Sequence, residues 1–177
     1  MKDAPEGWEW VRIQSEPCPQ CGQDPARLPV GALGATAIDA AARWSSFLES
    51  TDPEVLRRSP APGVWTPLQY AFHARDMLVV FGERIELACR EDDPAVPWFD
   101  PGDEEWRAYN EAEPASAANA IERAAGDFSS ILAHLQQSDW SRTARRDGVD
   151  QFTVAGLACF GVHEAHHHLL DADGRLS

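Results

Sequence analysis

The chain carries segments in which apolar residues recur at helical spacing, and polar or proline-containing stretches separate them. The first predicted helix covers about residues 30–50 and the second about 66–90. The second has the clearest start, because Thr66 suits an N-cap, Pro67 the first helical position and Gln69 the end of a capping box. No segment alternates apolar and polar residues convincingly, so strands are not predicted.

Two further helices are predicted in the second half of the chain. The third covers about residues 116–137, and the fourth runs from an N-cap at Thr153 to about Asp171. Four helices with polar links predict an all-α fold, a four-helix bundle. We expect the bundle to occupy residues 30–177, after an irregular, proline-containing arm at residues 1–29 that carries a CxxC motif.

The connection between the second and third helices is long and acidic, and it contains several large aromatic residues. A connection of this length usually carries function or folds over another part of the domain. The aromatic side chains either wall a pocket or pack across the end of the bundle, and packing is favoured because such residues mainly serve burial. They are Trp98, Phe99, Trp106 and Tyr109.

Composition and charge exclude several classes of partner. Hydrophobic residues make up 44% of the 177 residues and the formal net charge is −14, with no basic stripe, so nucleic acid is not an expected partner. The longest apolar run, residues 154–162, is too short to span a bilayer. The first ten residues lack the apolar core of a signal peptide, so we expect a cytoplasmic protein without a membrane partner.

The most unusual stretch is "HEAHHHLL" at residues 163–170. His163 and His167 are one helical turn apart on an apolar seam, which lets two imidazoles reach one metal ion. His166 and His168 are placed at the rim or towards solvent. The alternative is a solvated histidine-rich helix end, or core histidines held by hydrogen bonds.

A third ligand must come from another helix. His134 lies at the edge of the third helix's stripe, whereas His73 lies two turns into the second helix with Asp76 on the same face. His73 is the better placed of the two, because a bundle gathers side chains from different helices around one interior point. Three neutral imidazoles would leave a coordination position open, which is typical of a catalytic metal site.

The first five letters of this stretch also match the H-E-x-x-H signature of zinc proteases. Leu170 and Asp173 stand where the extended signature requires glycine and histidine, and no strand is predicted to align a peptide. A metalloprotease therefore stays a remote alternative. Glu164 projects 100° away from His163 and is expected at the surface or in an interhelical pair.

The four cysteines do not suggest a disulfide framework in a chain of this kind. Cys89 and Cys159 have apolar, helical surroundings and are expected to be buried thiols. Cys18 and Cys21 form half of a zinc knuckle, "CPQCG". They bind zinc completed elsewhere or across a dimer, form a local disulfide, or remain free; free or locally paired thiols are favoured.

Several of these features together resemble the DinB-like superfamily, and more closely its mycothiol-dependent maleylpyruvate isomerase and thiol S-transferase branch. They are "VWTPLQYAFHARDML", the long acidic connection, "DW" before the last link, and "VHEAHHHLLD". The resemblance covers about residues 30–173. It implies an up-down-down-up four-helix bundle with zinc or nickel held by His73, His163 and His167, and it suggests a homodimer.

Members of known activity use the metal to bind a low-molecular-weight thiol. The resemblance therefore implies a metal-dependent thiol S-transferase or isomerase that uses mycothiol, or a similar thiol, on small electrophiles. Asp76 would contact a ligand or substrate from one turn beyond His73, unless it is an ordinary helix carboxylate. The alternative is a non-catalytic metal- and ligand-binding module, because no base, nucleophile or cofactor motif is identified beyond the metal ligands.

Overall fold

The computed structural model describes residues 9–97, 99–147 and 150–176, so Trp98 of the aromatic connection lies outside it. The predicted all-α four-helix bundle with up-down-down-up topology is confirmed. The long helices are α1 (Leu33–Ser50), α3 (Pro67–Arg90), α5 (Pro114–Ala133) and α6 (Val154–Ala172), and the short ones are α2 (Pro53–Leu56) and α4 (Asp103–Glu111).

Local sequence sets the starts of two long helices. The Thr66 hydroxyl accepts a hydrogen bond from the Gln69 backbone N–H at 3.2 Å, and the Gln69 side chain accepts one from the Thr66 N–H at 3.0 Å. This is the predicted capping box, and Pro67 occupies the first turn. Thr153 caps α6 by accepting from the Gly156 N–H at 2.9 Å.

The core lies where α1 and α3 each pack against both α5 and α6. Trp44 of α1 is fully buried, and its indole N–H donates to the Ala165 carbonyl of α6 at 2.8 Å. Phe128 of α5 is also buried. Burial of each such large side chain contributes about 1.5–3 kcal/mol, so these helices are held together mainly by apolar packing.

Helix α6 is buried on nearly every side. Between Val154 and Leu169 only Ala155 and His166 keep intermediate exposure, and the other residues are buried. A helix without a solvated face belongs in the middle of a fold. Among the described residues, no helix is both long and apolar enough to cross a bilayer.

The connections contain structure that the hydrophobic pattern does not predict. Strands β1 (Ala95–Val96), β2 (Thr143–Arg146) and β3 (Asp150–Thr153) form a sheet in that order, parallel between β1 and β2 and antiparallel between β2 and β3. Strands of two to four residues are too short to show alternation. Because β3 ends where α6 begins, the β2–β3 hairpin positions the first turn of α6.

The described part of the N-terminal arm, residues 9–29, consists of 3-10 turns and irregular backbone, and its first turn packs along α6. The Gln14 amide donates to the Gln151 carbonyl at 3.1 Å, and its oxygen accepts from the Thr153 N–H at 3.3 Å. Gly156 permits this approach, because a Cβ there would lie 2.8 Å from the Gln14 Cβ. The arm therefore contacts α6 just before the histidines.

Candidate functional site

Helix α6 carries two pairs of metal-binding side chains, each pair one turn apart. His163 and His167 form one pair, and Glu164 and His168 form the other. The two pairs project about 100° apart around the helix axis, because each residue turns the helix by that angle. They consequently meet different neighbours on the two sides of α6.

The pair Glu164 and His168 faces His73 of α3, and all three side chains are buried. Glu164 Oε2 lies 3.5 Å from His73 Nε2 and 3.3 Å from His168 Nε2. None of these three atoms has a hydrogen-bond partner in the described structure. Ligand atoms around a tetrahedral zinc are separated by about 3.4 Å, so the spacing of this His–Glu–His cluster fits a shared ion.

The surroundings of the His–Glu–His cluster give His73 and Glu164 the protonation states that a metal requires. Burial lowers the pKa of His73 to about 4, so its imidazole is neutral. Burial would raise the pKa of Glu164, but the neighbouring imidazoles of His163, His168 and His73 outweigh it and hold this pKa well below its usual range. The cluster thus offers a neutral nitrogen and a carboxylate.

His168 is oriented by Asp171. The Nδ1–H of His168 donates a hydrogen bond to Asp171 Oδ2 at 3.0 Å. The other ring nitrogen, Nε2, is therefore directed at Glu164. Burial opposes protonation of His168, but Asp171 and Glu164 outweigh it and raise its pKa to about 9 in the metal-free chain. A carboxylate behind the imidazole is the usual support of a metal-ligating histidine.

A divalent ion would satisfy the His–Glu–His cluster, which is otherwise difficult to explain. Buried polar atoms in proteins are nearly always hydrogen-bonded, and leaving one unpaired costs about 1–3 kcal/mol. Here the two Nε2 atoms of His73 and His168 and one oxygen of Glu164 converge at ion-pair distance, and none of them has a hydrogen-bond partner among the described residues. Two imidazoles and a carboxylate are ligands that catalytic zinc accepts.

A cavity of about 250 Å³, partly open to solvent, adjoins the cluster. His73 and Glu164 lie in its wall, which places two of the ligand residues within reach of a small molecule. The rest of the wall is mainly aromatic and apolar, with two arginines and Asp100. Its main residues are Trp65, Met77, Phe81, Arg84, Phe99, Trp106, Arg146 and Phe160.

The aromatic residues of the connection therefore have two roles: some line this cavity, and others pack inside the fold. Trp106 of α4 lies with its ring centroid 4.3 Å from Trp65 and 6.0 Å from the His73 imidazole. Phe99 also lines the cavity. Tyr109 instead packs against Phe72 inside the fold, at 4.9 Å between ring centroids.

Asp76 takes part in a separate buried contact. The Tyr109 hydroxyl donates to it at 2.6 Å, and Arg75 Nε lies 2.7 Å away as an ion pair that lacks hydrogen-bond alignment. Burial raises the pKa of Asp76 to about 6. Asp76 belongs to no group of described residues with metal-binding geometry, so its contacts place it beneath α4 as an anchor for Tyr109.

The other pair of α6, His163 and His167, meets the two cysteines of the arm. Their ligand atoms and the sulfurs of Cys18 and Cys21 all lie within 4.8 Å of one another. A hydrogen bond from the Cys21 thiol lowers the pKa of Cys18 despite its burial. We refer to these four residues as the Cys–His cluster.

A third grouping, His167, His168 and Asp171, shares its histidines with the other two. Asp171 Oδ2 already accepts a hydrogen bond from His168 Nδ1 at 3.0 Å and lies 3.4 Å from His167 Nε2. This carboxylate is thus best described as an acceptor that supports one histidine of each cluster.

The predicted ligand set His73, His163 and His167 is divided between the two clusters. His73 meets Glu164 and His168, because α3 and the arm approach α6 from different sides. The expectation that His168 lies at the rim or surface is wrong, since it is 2% exposed. Glu164 is 1% exposed and pairs with His73 of α3, which is the interhelical alternative rather than the surface one.

One signal in the sequence indicates this burial. Between residues 154 and 170 the only Asp, Glu, Lys or Arg is Glu164. A helix with so little charge has no solvated face, so residues on every side of it are available to a site. His166 is half-buried beside Arg43, and His134 is exposed at the end of α5.

Comparison with known proteins supports this description of the fold. YfiT from Bacillus subtilis, described as a probable metal-dependent hydrolase with an unusual four-helix bundle topology, superposes with a TM-score of 0.74 at 19% identity, covering 82% of this chain and 85% of that one. A mycothiol-dependent maleylpyruvate isomerase superposes with a TM-score of 0.67 at 16% identity, covering 88% of this chain and 67% of that one. At these identities the similarity shows the fold alone.

No curated protein matches the chain in sequence. The profile of the DinB superfamily matches residues 38–172, which includes α3, α6 and all residues of the His–Glu–His cluster. The chain therefore belongs to the DinB superfamily.

Proposed function

We propose that the protein is a metal-dependent enzyme whose metal is held by His73, Glu164 and His168. The observation that carries this proposal is that three buried ligand atoms without hydrogen-bond partners converge beside a cavity. A set of three protein ligands leaves a coordination position open, as in catalytic zinc sites. Zinc is the expected metal and nickel the next, since imidazole and carboxylate suit both and availability usually decides.

We further propose that the reaction is a thiol S-transfer or a thiol-dependent isomerisation of a small electrophile. A divalent metal in the His–Glu–His cluster supplies Lewis acidity, which lowers the pKa of a neighbouring thiol. The fold shared with a mycothiol-dependent isomerase supports a thiol cosubstrate. Mycothiol is the first thiol to test, followed by bacillithiol and glutathione.

The cavity wall favours a small anionic substrate with an apolar part. Trp65, Trp106 and Phe160 provide apolar surface that excludes water from the cluster. Arg84 and Arg146 lie in this wall together with Asp100, and Arg146 also forms an ion pair with Asp150. Guanidinium groups bind carboxylates through paired hydrogen bonds, so they would orient an acidic electrophile.

Two further expectations belong to this proposal. A cytoplasmic location suits an enzyme that uses a reduced thiol, because thiols are kept reduced in that compartment. A homodimer is expected from the initial family resemblance, and sedimentation of the purified protein would test it directly.

The proposal is tested by mixing metal-loaded protein with each thiol and monochlorobimane, and following conjugate formation. We expect the wild-type rate to exceed that of His168→Ala by at least tenfold, because His168 would be a metal ligand. His166→Ala is the matched control, since His166 is half-buried on another face of the same helix. Equal rates for wild type and His168→Ala with every thiol would refute the proposal.

Metal analysis of the variants His73→Ala, His163→Ala and His168→Ala distinguishes the two ligand sets. If His73→Ala and His168→Ala lose the same ion while His163→Ala keeps it, the His–Glu–His cluster is the site. Loss of that ion in His163→Ala and its retention in His168→Ala would instead support the set His73, His163 and His167. Stabilisation by a thiol without turnover would favour the non-catalytic binding module, and thiol-independent ester cleavage would favour a hydrolase.

A further inference from the structure

The Cys–His cluster contains donors of the kind that structural zinc uses. Cys18, His163 and His167 are buried, with exposed fractions of 2%, 0% and 4%, and Cys21 is partly buried. Both cysteines are free thiols. Two thiols and two imidazoles within 4.8 Å of one another form a Cys₂His₂ set, which fills the four positions of tetrahedral zinc.

The backbone of the arm places both sulfurs on the same side. The Cys18 N–H donates to the Gln23 carbonyl and the Gly22 N–H to the Cys18 carbonyl, each at 2.9 Å. Gly22 has φ +73°, a left-handed conformation that glycine adopts at little cost. The sequence "CPQCG" therefore folds as a tight turn around its two thiols.

The two histidines are oriented towards this turn by carboxylates behind them. His163 Nδ1 lies 3.3 Å from Glu164 Oε1, while its Nε2 is buried and has no hydrogen-bond partner. His167 Nε2 lies 3.4 Å from Asp171 Oδ2, while its Nδ1 lies 3.7 Å from Cys18 Sγ. A metal-ligating histidine usually has one ring nitrogen on the metal and the other on a carboxylate.

The distance between Cys18 Sγ and His167 Nδ1 supports zinc. Bond lengths of about 2.3 Å to sulfur and 2.0–2.1 Å to nitrogen at a tetrahedral angle separate the two ligand atoms by about 3.6 Å. The observed separation is 3.7 Å. The Trp10 ring lies 5.9 Å from the His163 ring and 6.1 Å from the His167 ring, which shields the cluster from solvent.

We propose that Cys18, Cys21, His163 and His167 bind a structural zinc ion that fastens the N-terminal arm to α6. Its four protein ligands leave no open position, in contrast to the three of the His–Glu–His cluster. The arm needs such a fastening because its short 3-10 turns have little stability of their own. Zinc binding would join the residues before α1 to a helix more than a hundred positions later.

Cobalt substitution tests the proposal on the wild-type protein. After chelation under reducing conditions, cobalt(II) alone is titrated into the full chain and the absorption spectrum is recorded. We expect a near-ultraviolet charge-transfer band from thiolate to cobalt, with the intense visible bands of a tetrahedral ion. The His–Glu–His cluster contains no sulfur, so in the absence of any added thiol, the reductant included, it cannot produce the charge-transfer band.

Variants assign the band and separate the two sites. Cys18→Ser combined with Cys21→Ser should abolish the band and reduce zinc by one ion per chain, while trypsin cleaves the arm faster at the exposed Arg27. Cys89→Ser, a partly exposed cysteine outside the Cys–His cluster, should change none of these. His73→Ala should keep the band, so failure of the proposed enzymatic site would not hide this result.

Two outcomes would overturn the structural zinc. One is a cobalt-saturated, fully reduced wild-type protein without a thiolate band. The other is a native protein whose mass is lower by two hydrogens and whose Cys18 and Cys21 are recovered as a disulfide-linked peptide. Neither outcome depends on whether a variant folds.

Discussion

Replacement of Asp171 by asparagine should weaken both proposed metal sites at once. Asp171 Oδ2 accepts from His168 Nδ1 at 3.0 Å and lies 3.4 Å from His167 Nε2, so it supports one histidine of each cluster. Its side chain is only 5% exposed, and water therefore screens these contacts little. Asparagine keeps the size and one acceptor oxygen but removes the negative charge that makes each imidazole a stronger ligand.

The expected loss follows from what such carboxylates contribute elsewhere. Removal of a carboxylate behind a ligating histidine lowers metal affinity about 10–100-fold, or about 1.4–2.7 kcal/mol. The loss should be larger at the His–Glu–His cluster, because the contact to His168 is the shorter of the two. The Cys–His cluster should lose less, since its two cysteines are untouched.

Competition between the metal-free protein and a chromophoric zinc chelator measures both affinities. Asp173→Asn is the control, because Asp173 is two residues further along, partly exposed and paired with Arg175 instead. Unchanged zinc affinities in Asp171→Asn, or an equal decrease in Asp173→Asn, would show that Asp171 does not orient these histidines.

Four other variants test the surroundings of the sites. Asp76 has a folded pKa of about 6, above its unfolded value. Its contribution to stability is therefore present at about pH 4 and is lost as the pH rises through 6. In urea unfolding, the stability of Asp76→Asn relative to wild type should rise by up to about 3 kcal/mol across that range, and a constant difference would contradict this. Trp106→Ala should raise KM for an apolar electrophile while metal content stays unchanged, because Trp106 lines the cavity. Loss of metal would instead show that Trp106 holds the side chains of the His–Glu–His cluster in position. Gly156→Ala should lower the melting temperature and expose the arm to proteases, because the new Cβ meets Gln14. Gly126→Ala, with open space around it, should instead increase the stability of the protein by about 0.5–1 kcal/mol. Identical behaviour of the two variants would refute the close approach of Gln14 to Gly156.

The helices of the bundle could be predicted because their signals are local. Thr66 and Gln69 form the predicted capping box, and Thr153 caps α6 as expected. The short strands and α4 escaped prediction because each depends on contacts between distant segments. Strand β1, for example, has two residues and forms only by pairing with β2, at Ala95 opposite Arg145.

The sequence alone determined that α6 carries side chains of metal-ligating type one turn apart, because that spacing is a property of the helix. It did not determine which pair lies beside His73. The pairs His163/His167 and Glu164/His168 have the same spacing and differ only by a rotation of about 100°. Tertiary packing decided between them, since α3 brings His73 to one side of α6 and the arm brings Cys18, 149 positions from His167, to the other.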